Sequence, residues 1–253
     1  MKVSVITPVY NNKSYIRSCL ESVAAQTWPD IEHIVIDGGS TDGTVDIIKR
    51  YRDAIAYWVS EPDRGIYDAM NKGLRRATGS IVGILNSDDF YAGQFVIQNV
   101  ADAFKATRAD ACYGDLVYVD RADTGKVVRY WQSGQFRRER FRLGWMPPHP
   151  AFFVRREVYE RSGLFDLSFP LAADYELMLR FLYKNNESAA YIPKVLVKMR
   201  TGGASKSWWY TARAIIENYR AWRVNGLSAN PCTFVMKPLS KTLQFLNRKP
   251  LAQ

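Results

Sequence analysis

At 253 residues, 47% hydrophobic and 24% charged, the chain matches one large α/β domain with a tail, or two small domains, and this excludes a polypeptide without a core. The cysteines Cys19, Cys112 and Cys232 are scattered and fit no metal-ligand spacing, so they read as reduced and structural. The net charge of +10 is concentrated: from Arg200 onward nine Lys/Arg oppose Glu217 alone, so the tail carries +8 and the first 199 residues are close to neutral.

Met1-Lys2 leads directly into Val3-Ser4-Val5-Ile6, too short an apolar stretch for a secretory signal, and no run approaches the roughly 18 to 20 residues of a membrane span. The expectation is a cytosolic or membrane-surface protein. Val3 to Thr7 is a β-branched strand closed by Pro8, and Asn11-Asn12 can cap a helix over Ser14 to Gln26. A second strand, Ile31 to Ile36, ends in Asp37-Gly38-Gly39-Ser40-Thr41-Asp42-Gly43-Thr44, and a helix follows over Val45 to Arg52. This alternation predicts a doubly wound sheet. The glycines let the backbone approach a ligand, but neither a dinucleotide fingerprint nor a phosphate-loop lysine is present.

Tyr57 to Ser60 is a third strand, and Glu61-Pro62-Asp63-Arg64-Gly65 is a turn before a helix over Ile66 to Ala77. Asp68, Asn71 and Lys72 lie on or near one face of that helix. They are a solvated face on one reading; on the other, they join Arg64, which can meet a phosphate. Ile81 to Leu85 is a buried strand that ends in Asn86-Ser87-Asp88-Asp89, where open α/β sheets place their ligands. Adjacent acids repel one another unless a cation intervenes, and a Mg²⁺ or Mn²⁺ ion carrying a phosphate-rich ligand is the economical choice; a solvated turn or helix cap is the alternative.

Further on, Asp110 to Val119 and Lys126 to Trp131 alternate as a hairpin around Asp123-Thr124-Gly125. Arg137-Arg138-Glu139-Arg140-Phe141-Arg142 is a basic loop, either solvated or near a pyrophosphate. Pro147-Pro148-His149-Pro150 holds a histidine in a stiff turn before a strand over Ala151 to Val154, and Leu171 to Arg180 opens a helix with Asp174 and Glu176 in its first turn. Trp208, Ala212, Ile215, Ile216, Tyr219 and Trp222 follow helical spacing with Arg213, Arg220 and Arg223 interleaved; Leu239, Leu243 and Leu246 repeat the pattern. Such a tail either packs on the domain or an oligomer partner, or lies on an anionic membrane surface.

Taken together, Val5-Ile6-Thr7-Pro8-Val9-Tyr10-Asn11, Asp37 to Thr44 and Asn86-Ser87-Asp88-Asp89 resemble family 2 glycosyltransferases with the GT-A fold. Glu61 to Gly73 is similar to the subgroup that builds bacterial surface polysaccharides of the O-antigen and colanic acid type. The resemblance implies a GT-A type Rossmann-like mixed sheet flanked by helices over residues 1–200, with a nucleotide-sugar half at 1–110 and an acceptor half at 111–200. A basic amphipathic helical tail at 201–253 would follow. It also implies that Thr7, Pro8, Tyr10 and Asn11 line the nucleotide pocket and that Asp37 holds the base. Arg64, Asn71, Lys72, Asn86 and Asp88 join them as nucleotide-sugar contacts; Asp88 and Asp89 are metal candidates, with His149 a further one.

At Asn86 the commoner residue of the motif is Asp, and this chain departs from it. A Glu-Asp pair occupies the positions of Ala173-Asp174 in the family; Ala173 departs while Asp174 keeps the general base. The implied reaction is metal-dependent, inverting transfer from a UDP- or GDP-sugar to a hydroxyl of a lipid-linked bacterial surface glycan, on the inner face of the cell membrane. The loop Met199 to Ser205 would fold over the donor. Two other classes compete. A nucleic-acid-binding protein would use the basic tail but gives Asp37, Asp88 and Asp89 no role, so no nucleic-acid partner is expected. A sugar nucleotidyltransferase would need a basic glycine-rich loop after the first strand, which is absent.

Overall fold

The computed structural model describes residues 1–202 and 208–228. Four parallel strands, β1 (Val3–Val9), β2 (Ile31–Asp37), β3 (Tyr57–Ser60) and β4 (Ile81–Ile84), lie in the order β3-β2-β1-β4. The connections between them carry helices α1 (Ile16–Ala24), α2 (Thr44–Arg50) and α3 (Ile66–Arg76). All seven residues of β1 are buried, as a strand covered on both faces requires. Successive side chains divide between the faces: Val3 and Val5 pack with Cys19 and Val23 of α1, while Ile6 packs with Ala69, Met70 and Leu74 of α3. Gly73 lets α3 press onto the sheet, because a Cβ there would stand 2.4 Å from Ile6 Cγ2.

Beyond β4 the sheet becomes mixed. β8 (Phe152–Arg155) runs antiparallel to β4 and to β6 (Ala111–Val119), and β6 pairs in parallel with β9 (Ala189–Arg200). β9 receives the two-residue β5 (Phe90–Tyr91), and β7 (Val127–Trp131) closes the expected hairpin with β6. One nine-stranded sheet thus runs through both halves. The sequence reading assigned no element to α4 (Val96–Thr107) or α5 (Arg156–Ser162). Yet in α4 Val96, Ile97, Val100, Ala101 and Phe104 are buried at helical spacing. The helix expected from Leu171 begins as α6 (Ala173–Met178) and continues as a π-helix over Leu179–Lys184.

α7 (Trp208–Val224) packs one face on α6. Ala221 and Trp222 are fully buried, Trp222 Nε1 donates to Tyr175 Oη at 2.9 Å, and Asn225 Nδ2 donates to Glu176 Oε1 at 3.0 Å. Glu217 Oε2 accepts the backbone N–H groups of Leu171 and Ala172, each at 2.9 Å, at the start of α6. The other face leaves Ile216 and Tyr219 67% and 46% exposed. The tail repeat at Leu239, Leu243 and Leu246, together with Cys232 and Gly203 to Ser205 of the expected donor loop, lies outside the described residues. Among the described residues no helix is long and apolar enough to cross a membrane.

Truncating a buried tryptophan removes its contacts and leaves a cavity, at a cost of about 3–5 kcal/mol. Trp222→Ala should therefore lower the urea midpoint of the whole sheet domain; an unchanged midpoint would mean that α7 is merely appended.

Candidate functional site

The carboxyl ends of β1, β2 and β4 converge where the chain crosses from β1 to its two neighbours, the position at which open α/β sheets hold ligands. There an open cleft of about 1190 Å³ is lined by Pro8, Tyr10, Gly38 and Gly39 on one side. Asn86, Ser87, Asp88, His149 and Asp174 line the other, and Tyr118, Arg121 and Thr201 lie at the rim.

The nucleotide-side residues divide into those that face the cleft and those that shape it. Pro8 and Tyr10 face it, and Tyr10 is 64% exposed. Thr7 does not: it is fully buried, with Oγ1 3.0 Å from His33 Nε2. Strand alternation turns Thr7 away from the side taken by its neighbours. Asn11, at a φ of 45°, is a staple between loops; its N–H donates to Ser40 Oγ at 2.7 Å and its Oδ1 accepts from the Thr41 N–H at 2.9 Å.

Asp37, expected to hold a base, has no solvent exposure. Its Oδ2 accepts from the Gly39 and Ser40 N–H groups at 3.1 and 2.9 Å and from Ser60 Oγ at 2.6 Å, while Oδ1 accepts from Ser40 Oγ at 2.5 Å. The carboxylate is thus committed to shaping the Gly38-Gly39 loop, whose backbone borders the cleft; Gly39 takes the left-handed φ of +85° that this turn requires.

On α3 and its preceding turn the contacts are internal. The Arg64 guanidinium pairs with Asp68, Nη2 to Oδ1 at 3.3 Å, and holds the Asp68 carboxyl below its ordinary range. Asn71 is buried and clamps Phe165 from both sides, accepting its N–H at 3.0 Å and donating to its carbonyl at 2.9 Å. Lys72 Nζ lies 2.7 Å from Glu61 Oε1 and donates to the Pro62 carbonyl at 2.9 Å, bracing the turn. Asn71 and Lys72 sit away from the cleft because α3 uses that part of its surface for packing, and Arg64 is occupied by Asp68. The basic loop 137–142 is likewise spent elsewhere: Arg138 Nε donates to the Tyr183 carbonyl at 2.7 Å and Arg142 Nε to Tyr183 Oη at 2.6 Å.

The acid side is brought together. Asp88 opens on the cleft, and among the described residues its carboxylate has no hydrogen bond or ion pair; its backbone carbonyl accepts from Arg200 Nη1 at 2.5 Å. Asp89 points inward with no exposure. Burial, and then the charge of Asp88, push its carboxyl well above the usual range, while Arg200 opposes that shift. Arg200, expected in a mobile loop, instead ends β9 beneath the acids, with its guanidinium 4.7 Å from the Phe90 ring centroid. Asn86 Nδ2 donates to Asp89 Oδ2 at 3.3 Å and lies 3.3 Å from His149 Nε2. Beyond His149, Asp174, at the start of α6, accepts from Tyr67 Oη at 3.1 Å and faces His149 Nδ1 at 3.3 Å. Tyr67 and Arg200 were not singled out from the sequence. Strand-end and helix-face periodicity marks neither, since each acts across more than a hundred residues of chain.

Among the described residues no group of three His, Cys, Asp or Glu side chains could hold a metal ion by itself. The donor set instead suits a hard cation that arrives with oxygens of its own: Asp88 supplies a free carboxylate at the cleft wall, and the buried Oδ1 atoms of Asn86 and Asp89 are acceptors without partners behind it.

A family model described as glycosyl transferase family 2 matches residues 4–163. An uncharacterized glycosyltransferase of Mycobacterium tuberculosis is 36% identical over 185 residues, which cover 70% of this chain and 68% of that protein. A PGL/p-HBAD biosynthesis glycosyltransferase of Mycobacterium bovis is 30% identical over 181 residues, with the same shares covered. Among solved structures, S. aureus TarS 1-349 in complex with UDP-GlcNAc superposes with a TM-score of 0.69 at 22% identity over 98% of this chain and 72% of that one. The mannosyltransferase PcManGT from Pyrobaculum calidifontis, in complex with GDP-Man and Mn2+, gives 0.67 at 22% identity over 96% and 69%. At these identities the solved structures establish the shared GT-A fold.

The Thr7 partner carries a pH signature. Burial pushes the His33 imidazole down from 6.5 to about 4, so the folded chain keeps it neutral where the unfolded chain binds a proton. Stability from this group is complete above pH 6.5 and is lost as the pH falls toward 4, by about 3 kcal/mol. In urea titrations between pH 7 and 4, His33→Gln should flatten that part of the decline. An unchanged slope would place the acid sensitivity elsewhere.

Proposed function

Because the chain belongs to glycosyl transferase family 2 and is a glycosyltransferase, we propose that it transfers one sugar, with inversion, from a nucleotide diphosphate donor to a hydroxyl of a growing bacterial surface glycan. The observation that carries this reading is the meeting in one cleft of a carboxylate free to meet a cation, Asp88, and a second carboxylate, Asp174. The UDP-GlcNAc and GDP-Man named with the two solved structures support a UDP- or GDP-sugar as the donor class.

In this reading Pro8, Tyr10 and the Gly38-Gly39 backbone receive the nucleoside, and Asn86 and Asp88 approach the ribose and diphosphate. Asp88 would hold a Mg²⁺ or Mn²⁺ ion together with the diphosphate oxygens; when bound, that ion neutralises charge on the departing diphosphate. Asp174 takes the proton of the acceptor hydroxyl as its oxygen bonds to the anomeric carbon and the bond from that carbon to the diphosphate oxygen breaks. Tyr67 and His149 hold the Asp174 carboxylate at its two oxygens. Thr201 and Gly202 at the rim narrow access of water to the donor.

The acceptor is proposed to be lipid-linked, with the basic tail docking the enzyme on the inner face of the cell membrane. The exposed Ile216 and Tyr219 of α7 and the basic residues Lys237, Lys241, Arg248 and Lys249 support this, each cation near an anionic surface contributing on the order of 1 kcal/mol. Removing residues 229–253 leaves α7 in place and should reduce co-sedimentation with vesicles containing anionic lipid. Unchanged sedimentation would favour a second copy of the chain as the partner of this face.

For the reaction itself, Asp88→Asn and Asp174→Asn should each lower transfer by about 10²–10⁴-fold at an unchanged thermal midpoint. Asp88→Asn alone should also abolish the metal-dependent part of the stabilisation given by UDP or GDP in a thermal-shift panel. Full transfer by both variants would overturn the assignment.

A further inference from the structure

Five side chains on the acid side of the cleft form one continuous line of four polar contacts, three of them hydrogen bonds and the Asp174–His149 link a contact at ion-pair distance. Tyr67 Oη reaches Asp174 Oδ1 at 3.1 Å, Asp174 Oδ2 faces His149 Nδ1 at 3.3 Å, His149 Nε2 faces Asn86 Nδ2 at 3.3 Å, and the same Nδ2 reaches Asp89 Oδ2 at 3.3 Å. Its members come from α3, α6, the turn before β8 and the end of β4, so only the folded sheet assembles it.

The proton on each link follows from the inventory of donors and acceptors. A carboxylate that is to take a proton only accepts, so the hydrogen between Asp174 and His149 belongs to Nδ1. A neutral imidazole with Nδ1–H has a bare Nε2, which must accept. A carboxamide NH₂ has two protons, and Asn86 directs them at the two acceptors within reach, His149 Nε2 and Asp89 Oδ2. Reversing the amide would set its oxygen against the Asp89 carboxyl and bury two N–H groups without partners. As placed, the amide itself leaves only its Oδ1 unpaired, and Asp89 Oδ1 is the other acceptor in this line of contacts without a partner. The two ends of the chain therefore require the same tautomer independently.

We propose that Asn86 selects the Nδ1–H tautomer of His149, and that His149 through this proton orients the Asp174 carboxylate; both are positioning residues for the base. The inference rests on the reading of Asp174 as the base. It gives a reason for Asn at a position where the resembled motif commonly has Asp. A carboxylate there would offer Nε2 no proton and would accept one from it instead, turning the ring to the Nε2–H tautomer and leaving a bare Nδ1 against Asp174. It would also face the buried Asp89 carboxyl. Restoring the commoner residue is thus a loss in this chain. His149 Nε2, engaged by Asn86, is turned away from service as a metal ligand.

Two experiments test this. The chain contains only two histidines, so long-range ¹H–¹⁵N spectra of the labelled full-length protein resolve both rings, with His33→Gln assigning the pair. His149 should show a protonated Nδ1 and a bare Nε2, and Asn86→Asp should reverse the two. An Nε2–H ring in the wild type, or an unchanged ring in Asn86→Asp, overturns the tautomer selection. This readout needs no turnover.

The second experiment uses side chains that mimic one ring nitrogen at a time. The Asn carboxamide nitrogen reproduces Nδ1, and that of Gln reproduces Nε2. His149→Asn should keep kcat within about tenfold of wild type, while His149→Gln loses about 100-fold, with KM for the sugar nucleotide little changed in both. Gln outperforming Asn, or a loss expressed in KM and in UDP- or GDP-induced thermal stabilisation, would place the function of His149 on its Nε2 side and refute positioning. Should the tautomer appear as expected while Asp174→Asn retains full transfer, the base assignment fails and with it the positioning role; the tautomer result stands apart from that failure.

Discussion

A carboxyl group with no access to water stands at the end of the central strand, and much of the site is arranged around that fact. Burying Asp89 next to the charge of Asp88 is unfavourable, and the chain offsets it by bringing Arg200 from the last strand beneath the same turn. Arg200 is itself buried. It lies over Phe90, 5.1 Å from the Tyr15 ring centroid, and Nη2 donates to Ser18 Oγ at 3.0 Å. β9 and α1 are thereby tied to the turn after β4, and Asp88 is left on the open side with its carboxylate free. A carboxylate open to the cleft and an acid held toward its neutral form behind it are two consequences of one difference in burial.

Asp174 is held by a separate set of contacts. Asp174 sits in the first turn of a short helix whose entry is fixed by Glu217, reaching from α7 to two backbone N–H groups, and whose core face is locked by Trp222 on Tyr175. Asn71 fastens the loop around Phe165, whose ring stacks on Tyr67 at 5.5 Å between centroids, and Tyr67 in turn reaches Asp174. Residues that resemble surface polar groups in the sequence thus support Asp174 from behind.

Before any coordinates, the alternation of β-branched runs with amphipathic stretches was enough to give the doubly wound half, because helix and strand periods are local properties of the chain. Glycine and acid clusters at strand ends pointed to the same cleft, since parallel strands deliver their carboxyl ends to one edge. The apolar stripe of α4 is just as local, at Val96, Ile97, Val100, Ala101 and Phe104. The two-residue β5 and the long pairing of β6 with β9 had no local signature, as they are set by partners about eighty residues or more away.

The sequence by itself therefore determined the family, the parallel core and the candidate acids, all of which depend on short motifs and local periodicity. Tertiary structure decided what each polar side chain does. Thr7, Asn71 and Lys72 turned from ligand contacts into framework, Asp37 into the organiser of its own loop, and Arg200 from a loop cation into the counter-ion of a buried acid. The physical reason is that a side chain's role follows from its burial and from which partner satisfies its hydrogen bonds, and both are fixed only when distant segments meet.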